Sequence, residues 1–419
     1  MSKLQDLIDR LCPNGVEFKP LGEVFEMRNG YTPSKNESSF WEDGTIPWFR
    51  MEDIRENGRI LSDSIQHITP AAVKGKGLFE ANTFILATTA TIGEHALIIA
   101  DSLANQQFTN LKVRKSLSNL LETKFVFYYM FVVDEFCKNN TNVSGFASVD
   151  MGKLKRMPFP IPPLEVQEEI VRILDRFADY AAELQAELQA RKEQYEYYRN
   201  LLLTFNPSAY GSGTDDEQKD DITRWGGHSY KIQWKTMGEI GNVKMCKRIM
   251  KNQTSSMGDV PFYKIGTFGK EPDAYISREL FEDYKHKYSF PSKGTILISA
   301  AGTIGRCVIY DGEDAYFQDS NIVWLENDEK QVLNSYLYYF YQIVDWDTDG
   351  GTIKRLYNDK FLATPIPPKE LQEKIVAILD RFETLVNDLS KGLPAEIAAV
   401  KAQYEYYRNK LLTFKDVAG

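Results

Sequence analysis

Two stretches of this chain carry side chains suited to reading polar edges. Arg28-Asn-Gly-Tyr-Thr-Pro-Ser-Lys35 sets Arg28, Asn29, Tyr31 and Lys35 on a loop held by a glycine and a proline. Lys244-Met-Cys-Lys-Arg248, with Lys251 beyond it, gathers Lys244, Lys247, Arg248 and Lys251 into eight residues. An arginine fork fits guanine O6 and N7, and an Asn or Gln amide fits adenine N6 and N7, so these types on loops suit a base-reading surface. Similar groups recur at Arg50, at Thr89 and Thr91, and at Gln106 and Gln107; the second half adds Lys264, Thr267, Thr303, Arg306, Gln318 and Asn321. Any one of them alone fits an ordinary solvated loop. The clusters at 28–35 and 244–251 carry the case for nucleic acid.

No catalytic constellation accompanies them in the sequence. Asn206-Pro-Ser-Ala-Tyr210 lacks the second proline of the Asn/Asp-Pro-Pro-Tyr/Phe loop that holds a flipped adenine, and reads better as a helix-stop turn. Gly211-Ser-Gly213 and Gly226-Gly227 read as linker glycines, and no phosphate-cradling Gly-x-x-x-x-Gly-Lys-Ser/Thr occurs. His67, His95, His228 and His286 have no ligand-spaced neighbours and read as surface or satisfied core histidines. Cys12, Cys137, Cys246 and Cys307 form no Cys-x-x-Cys pair, so neither a metal nor a disulfide framework is expected.

The elements that must position the loops are duplicated. Gln194-Tyr-Glu-Tyr-Tyr-Arg-Asn-Leu-Leu-Leu-Thr-Phe205 matches Gln403-Tyr-Glu-Tyr-Tyr-Arg-Asn-Lys-Leu-Leu-Thr-Phe414 except at Leu201 and Lys410. Upstream, Ile161-Pro-Pro-Leu-Glu-Val-Gln-Glu-Glu-Ile-Val-Arg-Ile-Leu-Asp-Arg-Phe177 answers to Ile366-Pro-Pro-Lys-Glu-Leu-Gln-Glu-Lys-Ile-Val-Ala-Ile-Leu-Asp-Arg-Phe382. Residues 165–205 read as one helix with an a/d seam through Ile170, Leu174, Phe177, Ala181, Leu184, Leu188, Arg191, Tyr195, Tyr198, Leu202 and Phe205. The second copy, 370–414, is four residues longer between its matched blocks, and Lys391-Gly-Leu-Pro394 predicts a break there.

The remaining sequence falls into two looser copies. Lys19-Pro-Leu-Gly-Glu23 answers to Lys235-Thr-Met-Gly-Glu239, Ile46-Pro-Trp-Phe-Arg50 to Val260-Pro-Phe-Tyr-Lys264, and Thr91-Ile-Gly93 to Thr303-Ile-Gly305. The reading gives a first variable domain at 1–160, its helix at 161–205, an acidic Gly/Ser linker at 206–229, a second domain at 230–365, its helix at 366–414 and a tail at 415–419. Strands are expected at 84–89 and 95–100, whereas Phe125–Val133 fits a buried helix or strand equally.

At 419 residues and 43% hydrophobic the chain suits a folded protein of two or more domains. Its net charge of −9 argues against a strong free-standing grip on phosphates. The N-terminal stretch lacks the apolar core of a signal peptide and no run of about 18 apolar residues occurs, so a cytoplasmic setting without a membrane is expected.

Two variable domains, each closed by an Ile-Pro-Pro helix ending in Gln-Tyr-Glu-Tyr-Tyr-Arg, resemble the specificity subunit of type I restriction–modification enzymes over essentially the whole chain. The resemblance implies two α/β (α+β) recognition domains joined by a pair of long antiparallel coiled-coil helices with pseudo-two-fold symmetry. It implies that each domain reads half of a bipartite DNA site, and that the helices space the domains and dock two methyltransferase subunits. S-adenosylmethionine, ATP and Mg are then expected on the partner methyltransferase and restriction/translocase subunits, with no cofactor and no catalysis on this chain. The alternatives are a coiled-coil adaptor that binds only protein, and an adenine methyltransferase.

Tyr197, Arg199, Tyr406 and Arg408 fall off the seam yet are identical in both copies, which points to identical partners docking on each. Ala182-Glu-Leu-Gln185 and Ala186-Glu-Leu-Gln189 form a tandem repeat, read either as a spacer ruler or as simple helix of high propensity.

Overall fold

A computed structural model describes residues 3–75, 77–142, 147–205, 222–344, 346 and 364–417. In the first copy the chain runs α1 (Lys3–Leu11), β1 (Glu17–Pro20), α2 (Leu21–Val24), β2 (Phe25–Asn29), β3 (Ile46–Phe49), α3 (Met51–Asn57), β4 (Ile60–Leu61) and β5 (His67–Ile68). It continues through β6 (Thr83–Ala87), β7 (His95–Ile98), β8 (Leu103–Ala104), β9 (Phe108–Val113), α4 (Thr123–Asn139), β10 (Thr141–Asn142), β11 (Ser148–Val149), α5 (Met151–Arg156) and β12 (Pro158–Ile161) into α6 (Leu164–Thr204). The second copy holds β13 (Ile222–Trp225), β14 (His228–Lys231), β15 (Gln233–Lys235), α7 (Met237–Ile240), β16 (Asn242–Met245), β17 (Val260–Tyr263), β18 (Tyr275–Ile276) and α8 (Arg278–Lys287). Then follow β19 (Ile296–Ser299), β20 (Cys307–Ile309), β21 (Tyr316–Phe317), β22 (Ile322–Glu326), α9 (Asn334–Tyr341), β23 (Thr364–Ile366), α10 (Lys369–Asn387) and α11 (Leu393–Leu411).

The two domains share one frame. Sheet order β2-β9-β6-β7-β4 in the first matches β16-β22-β19-β20 in the second, and β5-β3-β8 matches β18-β17-β21. Even the parallel pairing of β3 with β8 is kept between β17 and β21: Trp48↔Leu103 and Phe49↔Ala104 answer to Phe262↔Tyr316 and Tyr263↔Phe317. The sequence correspondences therefore mark real structural equivalents. Gly93 and Gly305 close the same turn after β6 and β19, with φ of 78° and 82°. A Cβ on Gly93 would sit 2.6 Å from the Asp134 carbonyl oxygen, so the turn needs glycine twice over.

Strand β6 is buried at every position because it works on two faces. Phe84 and Leu86 face the core that holds α4, while Ile85 and Ala87 face the core built with β3 and β8. Helix α4 resolves the helix-or-strand ambiguity. The Glu122 carboxylate accepts from the Phe125 N–H at 2.5 Å and starts the helix. Its residues are apolar nearly all round because they pack among sheet residues such as Leu97 and Leu111 and α6 residues such as Ile170 and Leu174. The Pro-rich stretch before α6 is a strand, β12, whose pairing with β1 alone tolerates Pro158 and Pro160.

Helix α6 is continuous for 41 residues, as the seam predicts. Ile170, Leu174, Leu184, Leu188 and Tyr195 are buried on it, and Phe205 just past its end. The second helical segment breaks between α10 and α11, at the predicted place. A Cβ on Gly392 would lie 2.3 Å from the Thr384 carbonyl, so the chain folds tightly back there.

Residues 206–221 lie outside the described residues, and with them Asn206–Tyr210, Gly211–Gly213 and the acidic run at 215–221. The expected linker needs correction at 222–229. These residues belong to an antiparallel hairpin in which Ile222 pairs Lys231 and Trp225 pairs His228. Gly226 and Gly227, with φ of 57° and 81°, supply the two-residue turn such a hairpin requires.

The chain divides into two units, Met1–Leu184 with Ile397–Gly419, and Gln185–Glu396. Each unit thus contains one of the two domains, the start of the helix that follows it, and the end of the helix that follows the other. A linear partition of the sequence misses this exchange.

Candidate nucleic-acid interface

In the first domain three connections meet at one edge of the frame. The Gly30 and Tyr31 N–H groups donate to the Phe108 and Ala104 carbonyls, each at 2.9 Å, and the Thr88 N–H donates to the Gln107 carbonyl at 2.9 Å. The second domain repeats the device, with Ala300 N–H on the Asn321 carbonyl at 2.7 Å. Asn105 N–H on the Phe49 carbonyl (3.0 Å) likewise answers to Gln318 N–H on the Tyr263 carbonyl (2.9 Å). Backbone bonds hold the loops while the side chains differ.

The structure sorts the candidate side chains. In the first domain Asn29, Lys35 and Gln106 are exposed, and Thr89, Thr91 and Gln107 are half-buried beside them. The Asn29 side-chain amide oxygen accepts from the Thr109 hydroxyl at 3.0 Å, and the Gln106 side-chain oxygen accepts from the Thr32 hydroxyl. Arg28 follows the strand's alternation to the other face, its guanidinium 4.5 Å over the Phe79 ring. Tyr31 spends its hydroxyl on the chain itself, donating to the Ala72 carbonyl at 3.0 Å and accepting from the Lys74 N–H at 2.7 Å. Arg50 precedes α3, its N–H bound to the Asp53 carboxylate at 2.6 Å and its side chain 4.0 Å from Glu52.

In the second domain Lys247, Arg248, Lys251 and Thr303 are exposed. The Lys247 ammonium lies 5.1 Å from the Tyr288 ring centre, and Arg248 pairs with Asp319 at 2.8 Å while staying 65% exposed. Lys244 and Lys264 face Glu326 at 3.5 Å and Asp273 at 2.8 Å. Arg306 donates to the Phe268 carbonyl at 2.9 Å, and Gln318 accepts from the Ile265 N–H at 2.9 Å, so both hold loops together. Asn321 is half-buried, its N–H 2.7 Å from the Asp319 carbonyl. Sequence reasoning missed Thr32, Asp319 and Tyr288. The first two lie within or beside stretches already chosen; Tyr288, at the end of α8, carries no signal linking it to Lys247.

The repeated Tyr-Glu-Tyr-Tyr-Arg motif separates into inner and outer parts. Tyr407 stacks on Phe177 at 5.5 Å, and Tyr198 stacks on Phe382 at 5.8 Å. Arg408 lies 4.2 Å over the Phe131 ring of α4, and Arg199 donates to the Gln342 side chain beside α9 at 3.1 Å. These arginines therefore have an intramolecular reason for identity that the sequence did not show. Tyr197 and Tyr406 stay 62% and 61% exposed, each meeting its neighbour in the motif, Tyr198 or Tyr407, edge-on at 5.3 Å.

His95 is fully buried, its Nδ1 2.7 Å from the Asp134 carboxylate, and burial lowers its pKa. It is a core histidine. His67 pairs with Asp63 at 2.6 Å on the surface. Among the described residues no helix is long and apolar enough to cross a membrane.

Residues 13–194 and 231–399 match the family model described as "Type I restriction modification DNA specificity domain". The chain is 43% identical to a putative type I restriction enzyme specificity subunit, S.HindORF215P, of Haemophilus influenzae, over 95% of this chain and 96% of that one. It is 37% identical to the type I restriction enzyme EcoprrI specificity subunit of Escherichia coli, over 96% and 94%. Among solved structures it superposes with TM-score 0.63 and 17% identity on a chain from a study of assembly and conformational transition of the type I R-M system, covering 96% of this chain and 98% of that chain. The HsdS subunit from Thermoanaerobacter tengcongensis gives 0.51 at 16% identity, over 96% and 97%. These two likenesses concern the fold.

Proposed function

We propose, because this chain belongs to the type I restriction–modification DNA specificity family, that each of its domains reads one half of a bipartite, asymmetric DNA site. One observation carries the reading: a single backbone frame presents different side chains at the same edge in its two copies. The first edge offers amides and hydroxyls, at Asn29, Gln106 and Thr89, which suit adenine N6/N7. The second offers Lys247, Arg248 and Lys251, which suit guanine O6/N7 and phosphates.

The chain itself acts without catalysis and without a cofactor. It works in the cytoplasm within an assembly whose two methyltransferase subunits bring S-adenosylmethionine and whose restriction subunits bring ATP and Mg. Tyr197 and Tyr406, exposed at equivalent places on identical motifs, suit the docking of two identical partners. A net charge of −9 fits a chain that leaves much of the phosphate contact to those partners.

The test exchanges residues 230–360 for those of another family member and maps methylated sites genome-wide. One half-site should change and the other persist. A change in both halves would refute independent reading, and methyl transfer by the purified chain alone would overturn the non-catalytic assignment.

A further inference from the structure

The bonds between each recognition domain and the helix that follows it are repeated almost atom for atom. Fully buried Gln167 of α6 accepts from the Glu122 N–H at 2.8 Å and donates to the Leu120 and Pro162 carbonyls at 2.7 and 2.6 Å. Fully buried Gln372 of α10 accepts from the Leu333 N–H at 2.8 Å and donates to the Gln331 and Pro367 carbonyls at 2.9 and 2.7 Å. Two turns further along, the Tyr128 hydroxyl of α4 donates to the Asp175 carboxylate at 2.6 Å. The Tyr339 hydroxyl of α9 donates to Asp380 at 2.6 Å. Lys124 adds a second bond to Asp175 at 2.7 Å, and Glu383 lies 2.8 Å from the Tyr339 hydroxyl, whose single proton it shares with Asp380.

Apolar contact between α4 and α6, through residues such as Phe125, Ile170 and Leu174, is non-directional and tolerates sliding. Hydrogen bonds at two points along a helix fix its pitch, because they weaken steeply off-axis. A domain about 30 Å across that tilts by about 10° on its helix moves its far edge by roughly 5 Å. That exceeds the ~3.4 Å rise of one base pair.

We propose that these two matched clamps, Tyr128–Asp175 with Gln167 and Tyr339–Asp380 with Gln372, are positioning devices that set how strictly the spacing between half-sites is enforced. The proposal rests on the recognition reading above. The residues touch no base; they act through the pitch of the domain that does.

The test uses the full chain assembled with its methyltransferase partners, with Tyr128→Phe and Tyr339→Phe combined. Each change removes one hydroxyl and keeps the ring that packs. Methyl transfer is read by sequencing on a DNA library whose half-sites are separated by the native spacer, or by one base pair more or fewer. Relative to the native spacer, methylation at the off-length spacers should rise at least tenfold, with the half-site bases unchanged. Asp175→Asn with Asp380→Asn, which keeps an acceptor and the volume, should broaden spacing in the same direction but less. Tyr310→Phe, which loses a hydroxyl bond to the Glu313 carbonyl within the second domain, should leave spacing as in the wild type. Wild-type spacer selectivity in either clamp variant that remains folded, or broadening by Tyr310→Phe as large, would overturn the clamp. A wild-type assembly with no bipartite preference would overturn the recognition reading and the clamp with it.

Discussion

Replacing Gln167 by alanine should selectively loosen the unit that contains it. The side chain is fully buried and makes three hydrogen bonds, all to backbone groups of the chain entering α4 or α6. Its removal leaves the Glu122 N–H without its acceptor and two carbonyls short of a donor. An unsatisfied buried group costs about 1–3 kcal/mol, and carbonyls, with two lone pairs, fall at the low end. The expected total is about 3–5 kcal/mol, a large share of a typical domain stability of about 5–15 kcal/mol. In urea this shifts the midpoint of that unit by about 1–2.5 M for an m-value of about 2–3 kcal/mol/M. Because Gln372 has the same three kinds of partner, Gln372→Ala should cost the other unit about as much. Hydrogen exchange resolved by peptide separates the two units, which a single spectroscopic transition would blend. Each variant should lose protection in its own unit first. A cost under about 1 kcal/mol for Gln167→Ala, or equal loss of protection in both units, would refute the bracket as the source of stability.

Glu169 gives a pH test: hydrogen bonds from Arg172 above all, and from Lys3, hold its carboxyl down to about 2 against desolvation. A depressed folded-state value stabilises above the unfolded value near 4.5 and is lost as pH falls towards about 2, so Glu169→Gln should flatten acid unfolding in that window. Leu184→Ala on the seam, 5% exposed, should cost ~2–5 kcal/mol of stability with target preference unchanged. Arg248→Ala should instead cost ~1–3 kcal/mol of binding and relax one position of the site, read by competitive gel shift; the reverse pattern would reverse the assignment. Inserting one Ala-Glu-Leu-Gln unit into α6 lengthens it by ~6 Å and should change half-site spacing by about one base pair, whereas unchanged methylation sites would make the repeat merely good helix.

The helices were legible because their signal is local and repeated: an a/d seam, a Gly-Leu-Pro break, and two copies to check against each other. Helix α4 was not, since a segment covered on several sides loses the polar stripe that reveals its period. The domain frame could be matched from short anchors such as Thr91-Ile-Gly93 because a turn with φ near 80° admits little but glycine. The candidate site was readable as a set of loops, less so as side chains. Arg28 and Asn29 are neighbours in sequence and lie on opposite faces of β2. Gln318 and Arg306 are chosen by residue type alone; that they also hold the Ile265 N–H and the Phe268 carbonyl is not visible in sequence. Arg199 and Arg408 looked available for partners because Gln342 and Phe131 lie far away in the sequence.

The break between α10 and α11 gives the two long helical arms different mechanics. In α6 an unbroken ladder of backbone bonds runs through 41 residues, so bending must be shared along the rod. The other arm has a joint at residues 388–392, where the Asp388 carboxylate ties down the Ser390 and Lys391 N–H groups at 2.7 and 3.2 Å and Leu389 stands 82% exposed. A load applied to this arm concentrates there as rotation about a few dihedrals, whereas the same load on α6 is stored elastically as curvature and twist. A single substitution such as Gly392→Ala would drive a Cβ into the Thr384 and Leu385 carbonyls and force the joint to shift, while no one residue plays that part in α6.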